Sequence, residues 1–353
     1  MKKTLVALAA LAVTGSAFAA GHSAPASSVT LYGRLDGAVV NVDKANAAGQ
    51  SVTAVGDSTV ATSIWGMRGS EDLGGGMRGV FNIEGDVQVT NGNSSAAGLF
   101  RRGAFVGVSG GFGELTVGLR INPVIVTWAG AQVMTSNSVF VTGAVAGGFA
   151  DFFTKNAVTY TLPKLGPATV QVQRGFGNVA GGDSKGAVTA VSAMAPLAGG
   201  FELRAAYQQR EFGGTAGTSA NDAGGDKETS LLGVKGNFGP ASLAVTEVKN
   251  ATNTALATDM ELVQVAGSYS LSKQVQVGLS YNEFKSKLAG HGKTTLTNLQ
   301  GRYTLSPRTF TYLQVGMADN PTAGIAVSPA WSVVGGVLGK SQQAVGLGAV
   351  HSF

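Results

Sequence analysis

The most distinctive reactive groups in this sequence are charged side chains spaced two residues apart. Arg34 precedes Asp36, and Glu84 precedes Asp86, each with one intervening residue. Because residues i and i+2 of an extended strand point to the same side, each pair would share one face of a sheet. Two carboxylates could exchange protons with a substrate, but Glu84 and Asp86 side by side on one face fit a charged wall better than an acid–base centre.

Other catalytic chemistry has little support in the sequence. The three histidines, His22, His291 and His351, have no serine and carboxylate placed nearby as a nucleophile and its base would require. There is no cysteine, and we find no metal-ligand spacing, phosphate loop or haem motif, since the glycines at 74–76 read as a turn between strands. We therefore expect no enzymatic activity and no cofactor. The net charge of +5 is not clustered, so no nucleic-acid partner is expected.

The N-terminus has the features of a secretory signal peptide. Lys2 and Lys3 precede an apolar stretch at 4–15, and Ala17-Phe18-Ala19 fits the small-x-small pattern of a cleavage site. The apolar stretch is too short to span a bilayer. We expect residues 1–19 to be removed and residues 20–353 to form one exported domain.

The rest of the chain alternates between apolar and polar residues. From Val29 to Val40 the odd positions are apolar or glycine, and the even positions include both Arg34 and Asp36. The same period of two recurs at 77–89, 201–210, 275–282 and 298–305. Charged residues are only 13% of the chain, about half the usual share. The pattern predicts an all-β protein whose strands have one apolar and one polar face.

The connections between these strands alternate between short and long. Short turns are expected at 72–76, 110–113, 163–166, 237–240 and 306–308. Long polar or glycine-rich loops are expected near 41–59, 90–100, 121–155, 177–186, 212–226, 250–259, 285–294 and 319–341. Short turns at one end and long loops at the other are typical of a transmembrane antiparallel β-barrel. About sixteen strands of roughly ten residues would enclose an aqueous channel.

A soluble β-solenoid or propeller is the structural alternative. Either fold needs a repeat of fixed period, and none is present. The last strand instead ends on an aromatic residue, Phe353, after alternating residues from Val345 onward. We expect Phe353 to be the contact for the machinery that assembles outer-membrane barrels.

Several segments resemble the Gram-negative general porins of the β-proteobacterial type. They lie in the family's order at 28–33 (SVTLYG), 69–76 (GSEDLGGG), 81–85 (FNIEG), 101–108 (RRGAFVGV), 111–115 (GFGEL), 156–160 (NAVTY), 303–309 (YTLSPRT) and 351–353 (HSF). The resemblance implies a sixteen-stranded homotrimer in the bacterial outer membrane, in contact with lipid and lipopolysaccharide, with the third long loop folded into the lumen. It implies passive diffusion of small hydrophilic solutes and ions.

The sequence departs from that family at several positions. Ile64, Leu119 and Val350 stand where the family usually has arginine, and no charged residue occurs from Ile121 to Ala150. Two interpretations of this uncharged third loop are open. Either it packs against the wall and conductance is ordinary, or it makes an apolar and weakly ion-selective constriction, as in a solute-specific channel. In the second case Trp128 and Trp331 could contribute to a binding site.

The candidate pore-lining residues are mostly basic. Strand parity places most of them on the polar face, a motif match adds Arg101, and Arg120 and Lys155 flank the third loop. The full set is Arg34, Asp36, Arg68, Arg78, Glu84, Asp86, Arg101, Arg120, Lys155, Arg204 and Arg302. We expect a mild preference for anions. On the apolar face we expect an interfacial aromatic girdle of Trp65, Tyr207, Tyr269, Tyr281 and Tyr303.

Overall fold

A computed structural model describes most of the chain. The described residues are 27–94, 98–134, 151–182, 184–212, 225–252, 259–288, 290–330 and 332–353. The expected signal peptide at 1–19 lies outside these ranges. Within them, the only α-helix is much too short to cross a bilayer.

Antiparallel strands account for nearly all of the described structure, with one eight-residue helix, α1. The strands are β1 (Ser28–Val42), β2 (Val52–Asp57), β3 (Ile64–Gly74), β4 (Met77–Asp86), β5 (Gly103–Gly110), β6 (Gly113–Ile121), β7 (Phe153–Thr161), β8 (Thr169–Gly175), β9 (Val188–Pro196), β10 (Phe201–Phe212), β11 (Gly225–Phe238), β12 (Ala241–Thr252), β13 (Met260–Ser270), β14 (Val275–Ser286), β15 (Lys293–Ser306), β16 (Thr309–Asp319) and β17 (Ser341–Ser352). Helix α1 (Pro123–Gly130) lies between β6 and β7, and a short 3-10 turn (Ala198–Gly200) precedes β10.

The strands close into a barrel through β1. One edge of β1 pairs with β17. Its other edge pairs with β2 over 37–42 and with β3 over 28–34, so β2 and β3 together occupy one position in the wall. The barrel therefore has sixteen strands, as the sequence predicted. Closure pairs the strand edges, which the lipid interior requires because it offers no other hydrogen-bonding partner.

The burial of side chains follows the period of two. Outward residues such as Leu31, Val106 and Leu347 are exposed, whereas inward residues such as Ala38 and Gln314 are buried. This confirms the assignment of the apolar face to the outside of the barrel. Outward exposure of large apolar side chains is expected for a barrel surrounded by lipid.

Turns and loops lie at opposite ends of the barrel, which we call the turn end and the loop end. All five short turns expected from the sequence connect consecutive strands at one end. The loop expected near 41–59 is shorter than anticipated, because residues 52–57 form strand β2. The connector at 58–63 then interrupts the wall before β3 begins.

The C-terminal residue completes the closure at the turn end. The backbone N–H of Phe353 donates to the oxygen of Gly33 at 3.0 Å, and the N–H of Gly33 donates to the oxygen of Phe353 at 3.2 Å. The Phe353 ring lies against the Cα of Gly33, where a larger residue would leave it no room. The terminal aromatic is thus part of the last seam of the barrel.

Candidate functional site: the barrel lumen

The inner face of the barrel has two unlike regions. The charged wall comprises the inner faces of β1 and β3–β6 with the adjoining residues 101–102. The covered wall comprises the inner faces of β10–β16, most of which is buried beneath loop segments. The charged wall thus holds the ion-pair network described next, whereas the covered wall holds the largest group of buried apolar residues.

A compact ion-pair network lies on the charged wall between β4 and β5. The Arg102 guanidinium is 2.8 Å from Glu84 and 3.5 Å from Asp86, and Arg101 also pairs with Asp86. Tyr32 donates to Glu84 at 2.8 Å. Glu84, Asp86 and Arg101, which are all candidates from the sequence, lie together in this network. Arg102, which adjoins both acids, is not among those candidates.

A second pair lies on β6. Nη1 of Arg120 is 2.9 Å from Glu114, and its guanidinium carbon lies 4.3 Å from the centroid of the Phe105 ring. Phe105 is an inward residue of β5 because it faces Gly118 in the β5–β6 register. Arg120 is therefore held against the wall at the start of the third loop.

Three other arginines of the charged wall make no ion pair with a described residue. Arg34 donates from Nε to the Thr62 oxygen at 2.7 Å, and Arg78 donates to the Ser70 hydroxyl at 2.6 Å. The Arg68 guanidinium lies 5.1 Å from the centroid of the Tyr32 ring. The direct partners of these three arginines are therefore neutral, although Arg34 is also close enough to Glu84 and Asp36 to interact with them electrostatically.

Asp36 points inward, as predicted, but it has no exposed surface. Its Oδ2 accepts from the backbone N–H groups of Val60 and Ala61 at 2.6 and 2.8 Å, and its Oδ1 accepts from Tyr312 at 2.6 Å. Asp36 thereby holds the 58–63 connector against the inner wall. Its contacts are those of a structural carboxylate, with no solvent contact in the lumen.

An apolar band crosses the covered wall near the loop end. Successive strands each contribute one buried inward residue to it. These residues are Ala206, Leu231, Val248, Leu262, Phe284, Leu296 and Ala318. Burying this band removes apolar surface from water, and this gain stabilises the packing of the loop segments over it.

Helix α1 is one of the two segments that cover the band. Asn122 caps its N-terminus by accepting from the Val124 N–H at 2.9 Å, with proline at the next position. Val124, Ile125 and Trp128 then pack into the apolar band. The uncharged start of the third loop is therefore wall-packed, which agrees with the first of the two interpretations of this loop.

The chain continues along the covered wall after α1. Nζ of Lys235 on β11 donates to the Gln132 oxygen at 2.7 Å. The side chain of Met134 lies against the Cα of Gly278 on β14. Residues 121–134 of the third loop thus follow the inner wall from β8 to β14, while Phe140 and Phe149 lie outside the described residues.

The last loop, between β16 and β17, is the second covering segment. Val327 and Ile325 pack on the same apolar band as α1. Asn320 fixes the loop by donating to the Val327 oxygen at 2.9 Å and accepting from its N–H at 2.8 Å. Trp331 lies outside the described residues, and Trp128 is buried in the band.

The remaining candidates lie apart from the charged wall. Arg204 on β10 pairs with Glu202 at 2.6 Å and lies against Gly130 of α1, and Arg302 on β15 lies 3.8 Å from the Phe310 ring centroid. Lys155 is exposed on β7, at the edge of a cavity of about 340 Å³ near Arg210. The structure therefore groups some of the candidates and separates these three.

Comparison with known proteins gives this site its context. Residues 5–323 match the family model described as Gram-negative porin. The chain is a Gram-negative porin. It is 31% identical to outer membrane porin protein 32 of Delftia acidovorans over the full length of both chains. It is also 33% identical to the major outer membrane protein P.IB of Neisseria meningitidis over 128 residues, 35% of each chain.

Solved structures agree with the barrel. The anion-selective porin from Comamonas acidovorans superposes with a TM-score of 0.80 at 27% identity, covering 93% of this chain and all of that one. OmpT of Vibrio cholerae shares the fold, with a TM-score of 0.69 at 18% identity, covering 93% of this chain and 98% of that one. The porin lies in the outer membrane and forms a passive channel. Family and fold point to a channel rather than an enzyme.

The three departures from the family's arginines become interpretable in this porin. Ile64 and Val350 are both inward and buried, Ile64 opposite Asp86 in the register and Val350 packed with Phe310 and Tyr312. Leu119 pairs with Ala104 on the outward parity. Two of the three positions therefore replace lumenal charge with packing.

The porin's outward aromatics lie where strand parity put them. Tyr207, Tyr269, Tyr281 and Tyr303 are exposed, and Trp65 packs 5.7 Å from Phe100, measured between ring centroids. No group of histidine and acidic residues suited to a metal occurs in the described part of the chain.

Proposed function

We propose that this porin carries small hydrophilic solutes and ions with a mild preference for anions. The observation that carries the proposal is the imbalance on the charged wall. Arg34, Arg68 and Arg78 have neutral partners, whereas Glu84 and Asp86 already contact arginines. Unpaired basic side chains along a pore wall favour anions.

The relatives give independent support. The Comamonas acidovorans porin, which shares 27% identity across 93% of this chain, is named as anion-selective. The wall-packed third loop supports the same proposal, because residues 121–134 bring no acid toward the arginines. The other candidate residues, including Lys155, Arg204 and Arg302, are proposed as secondary contributors.

Reversal potentials in planar bilayers under a KCl gradient test the proposal. The double variant Arg68→Gln/Arg78→Gln should shift the permeability ratio of chloride to potassium toward unity. Arg308→Gln is the matched control, because Arg308 lies in an exposed turn between β15 and β16. A wild-type channel that favours potassium, or a double variant with wild-type selectivity, would contradict the proposal.

A solute-specific channel is the second candidate, favoured by the amide groups on the covered wall described below. Liposome swelling with sugars and amino acids of graded size separates the two. A smooth fall in rate with solute size supports general diffusion. One solute that enters faster than its size allows supports a specific site.

We also propose a homotrimer that contacts lipid and lipopolysaccharide and has no catalytic activity. Its support is a shallow groove of about 570 Å³ on the outer face, lined by small residues such as Gly37 and Ala349 with Val39, Val55 and Leu347. Cross-linking in native membranes tests the trimer.

We propose, on sequence grounds, that residues 1–19 are removed on export and that the barrel is assembled through Phe353. Mass spectrometry of the mature N-terminus and deletion of Phe353 test them.

A further inference from the structure

Three uncharged side chains on the covered wall form a group that we call the amide patch: Asn298, Gln300 and Gln314. Gln300 and Gln314 face each other across β15 and β16, and Asn298 lies two residues along β15 on the same face. Their exposed fractions are 2%, 2% and 4% for Asn298, Gln300 and Gln314. The patch is therefore a buried part of the inner wall.

The patch has hydrogen-bonding atoms that no described residue satisfies. Both amide atoms of Gln300, Nδ2 of Asn298 and Nε2 of Gln314 lack a partner among the described residues. Unpaired buried donors and acceptors cost free energy, and native proteins contain few of them. Several of them together therefore indicate a place where another hydrogen-bonding group can bind.

Neighbouring amides on the same wall do not share this property. Nε2 of Gln264 donates to Asn282 at 2.7 Å, and Nδ2 of Asn282 donates to the Leu296 oxygen at 3.1 Å. Asn320 and Gln342 are also hydrogen-bonded to each other, at 3.1 Å. Single unsatisfied atoms occur elsewhere on this wall, at Thr246 and Arg302, but the amide patch brings four of them together on three adjoining side chains.

The cover over the patch is apolar. Met134 lies against Gly278, which faces Gln300 across β14 and β15. Gly316 on β16 faces Asn298 in the same way. The Cβ of Pro329 packs against Gly316, only 2.7 Å from the point where a Cβ on Gly316 would lie. A thioether and a pyrrolidine ring offer the amides almost no hydrogen bonding. The cover and the surface beneath it are chemically mismatched.

We propose that the amide patch binds a neutral, hydroxyl-rich solute of the sugar class when Met134 moves away from Gly278. Side-chain amides offer both donors and acceptors, which matches hydroxyl groups that also do both. The residues opposite the patch on β14, Gly278 and Ser280, are uncharged. The charge beside it, Arg302 on β15, lies with its guanidinium over the Phe310 ring, 3.8 Å from the ring centroid. The inference rests on the channel function, because the solute reaches the patch through the lumen.

Sucrose-dependent fluctuations of the ion current in planar bilayers test the inference on the full-length porin. The wild-type channel should show brief, saturable interruptions. In Gln300→Leu/Gln314→Leu the half-saturating sucrose concentration should rise about tenfold, as expected for the loss of one or two hydrogen bonds. Gln171→Leu is the matched control, because Gln171 is a lumenal amide on β8 with its own partner, Thr161, at 3.1 Å.

The cover provides a second, opposite variant. Met134→Ala should lower the half-saturating concentration, because less side chain must leave the Gly278 notch. Two results would overturn the inference. In the first, sucrose lowers the wild-type current only smoothly, as the rising viscosity of the solution predicts. In the second, the wild type and all variants have the same half-saturating sucrose concentration. Wild-type protein that folds but does not conduct would instead contradict the channel function. Heat-modifiable migration of each variant verifies that it has folded.

Discussion

The charged wall and the covered wall use the same strand geometry for different purposes. On the charged wall, arginines and acids are held at the lumen surface, with Arg34, Arg68 and Arg78 left without acidic partners. On the covered wall, an apolar band anchors α1 and the last loop. The difference teaches that one sheet can hold its covering loops on one wall and, on the function proposed here, select solutes with the other. Substitutions on the two walls should therefore change different measurements.

The largest loss of stability is expected for a substitution on the covered wall. Phe284→Ala should lower the free energy of unfolding by about 3–5 kcal/mol, because it leaves a cavity in the apolar band on which the covering segments pack. Equilibrium urea unfolding in lipid vesicles measures the change. Leu279→Ala, on the outward face of the same strand, is the control and should cost clearly less. Equal losses in the two variants would show that the band does not anchor the loops.

The next largest loss of stability is expected when Asp36, the carboxylate that holds the 58–63 connector, is replaced. Asp36→Ala should cost about 2–4 kcal/mol, because two backbone N–H groups and the Tyr312 hydroxyl lose their acceptor. The freed connector should also increase current noise in single-channel recordings. A quiet channel of unchanged stability would rule out this structural role.

A smaller effect follows for the tyrosine that donates to the same carboxylate. Tyr312→Phe removes one of the three hydrogen bonds to Asp36 and should cost about 1–2 kcal/mol. Urea unfolding, run alongside Asp36→Ala, gives the comparison. A Tyr312→Phe loss as large as that of Asp36→Ala would mean that the connector N–H groups contribute little.

The smallest stability effect is expected on the charged wall. Arg120→Gln removes a partly exposed pair with Glu114 and should change the unfolding free energy by about 1 kcal/mol or less. Its reversal potential should nevertheless move toward lower anion preference. If Arg120→Gln instead lost much stability and kept its ion selectivity, the charged wall would have the structural role that we assign to the covered wall.

The period-two pattern was sufficient to predict much of this molecule. A residue's side of the barrel follows from its parity, so Arg34, Arg68 and Arg78 could be placed inside from sequence alone. The alternation of turns and loops was also predictable, since short turns and long polar loops differ in composition. The interruption between β2 and β3 was not, because it depends on two hydrogen bonds, from the N–H groups of Val60 and Ala61 to Asp36, which lies 24 residues before Val60 in the chain.

Parity could not distinguish exposed from covered inward residues. Asp36 and Arg34 have the same parity and lie two residues apart, yet only Asp36 lies wholly beneath a connector. Likewise, nothing local marks Gln300 as unsatisfied and Gln264 as hydrogen-bonded, because Gln264 finds its partner, Asn282, only across the β13–β14 pairing. Arg102 was missed because its partners lie on β4, and no local spacing indicates them.

The sequence by itself determined the membrane barrel, its strand count and the inward set of charged residues. These follow from alternation, which is local and fixes which face meets lipid. Only the tertiary structure decided which inward residues meet the lumen, because the third and last loops pack on one wall. That choice depends on the apolar band of β10–β16, whose residues are brought side by side only when the barrel closes.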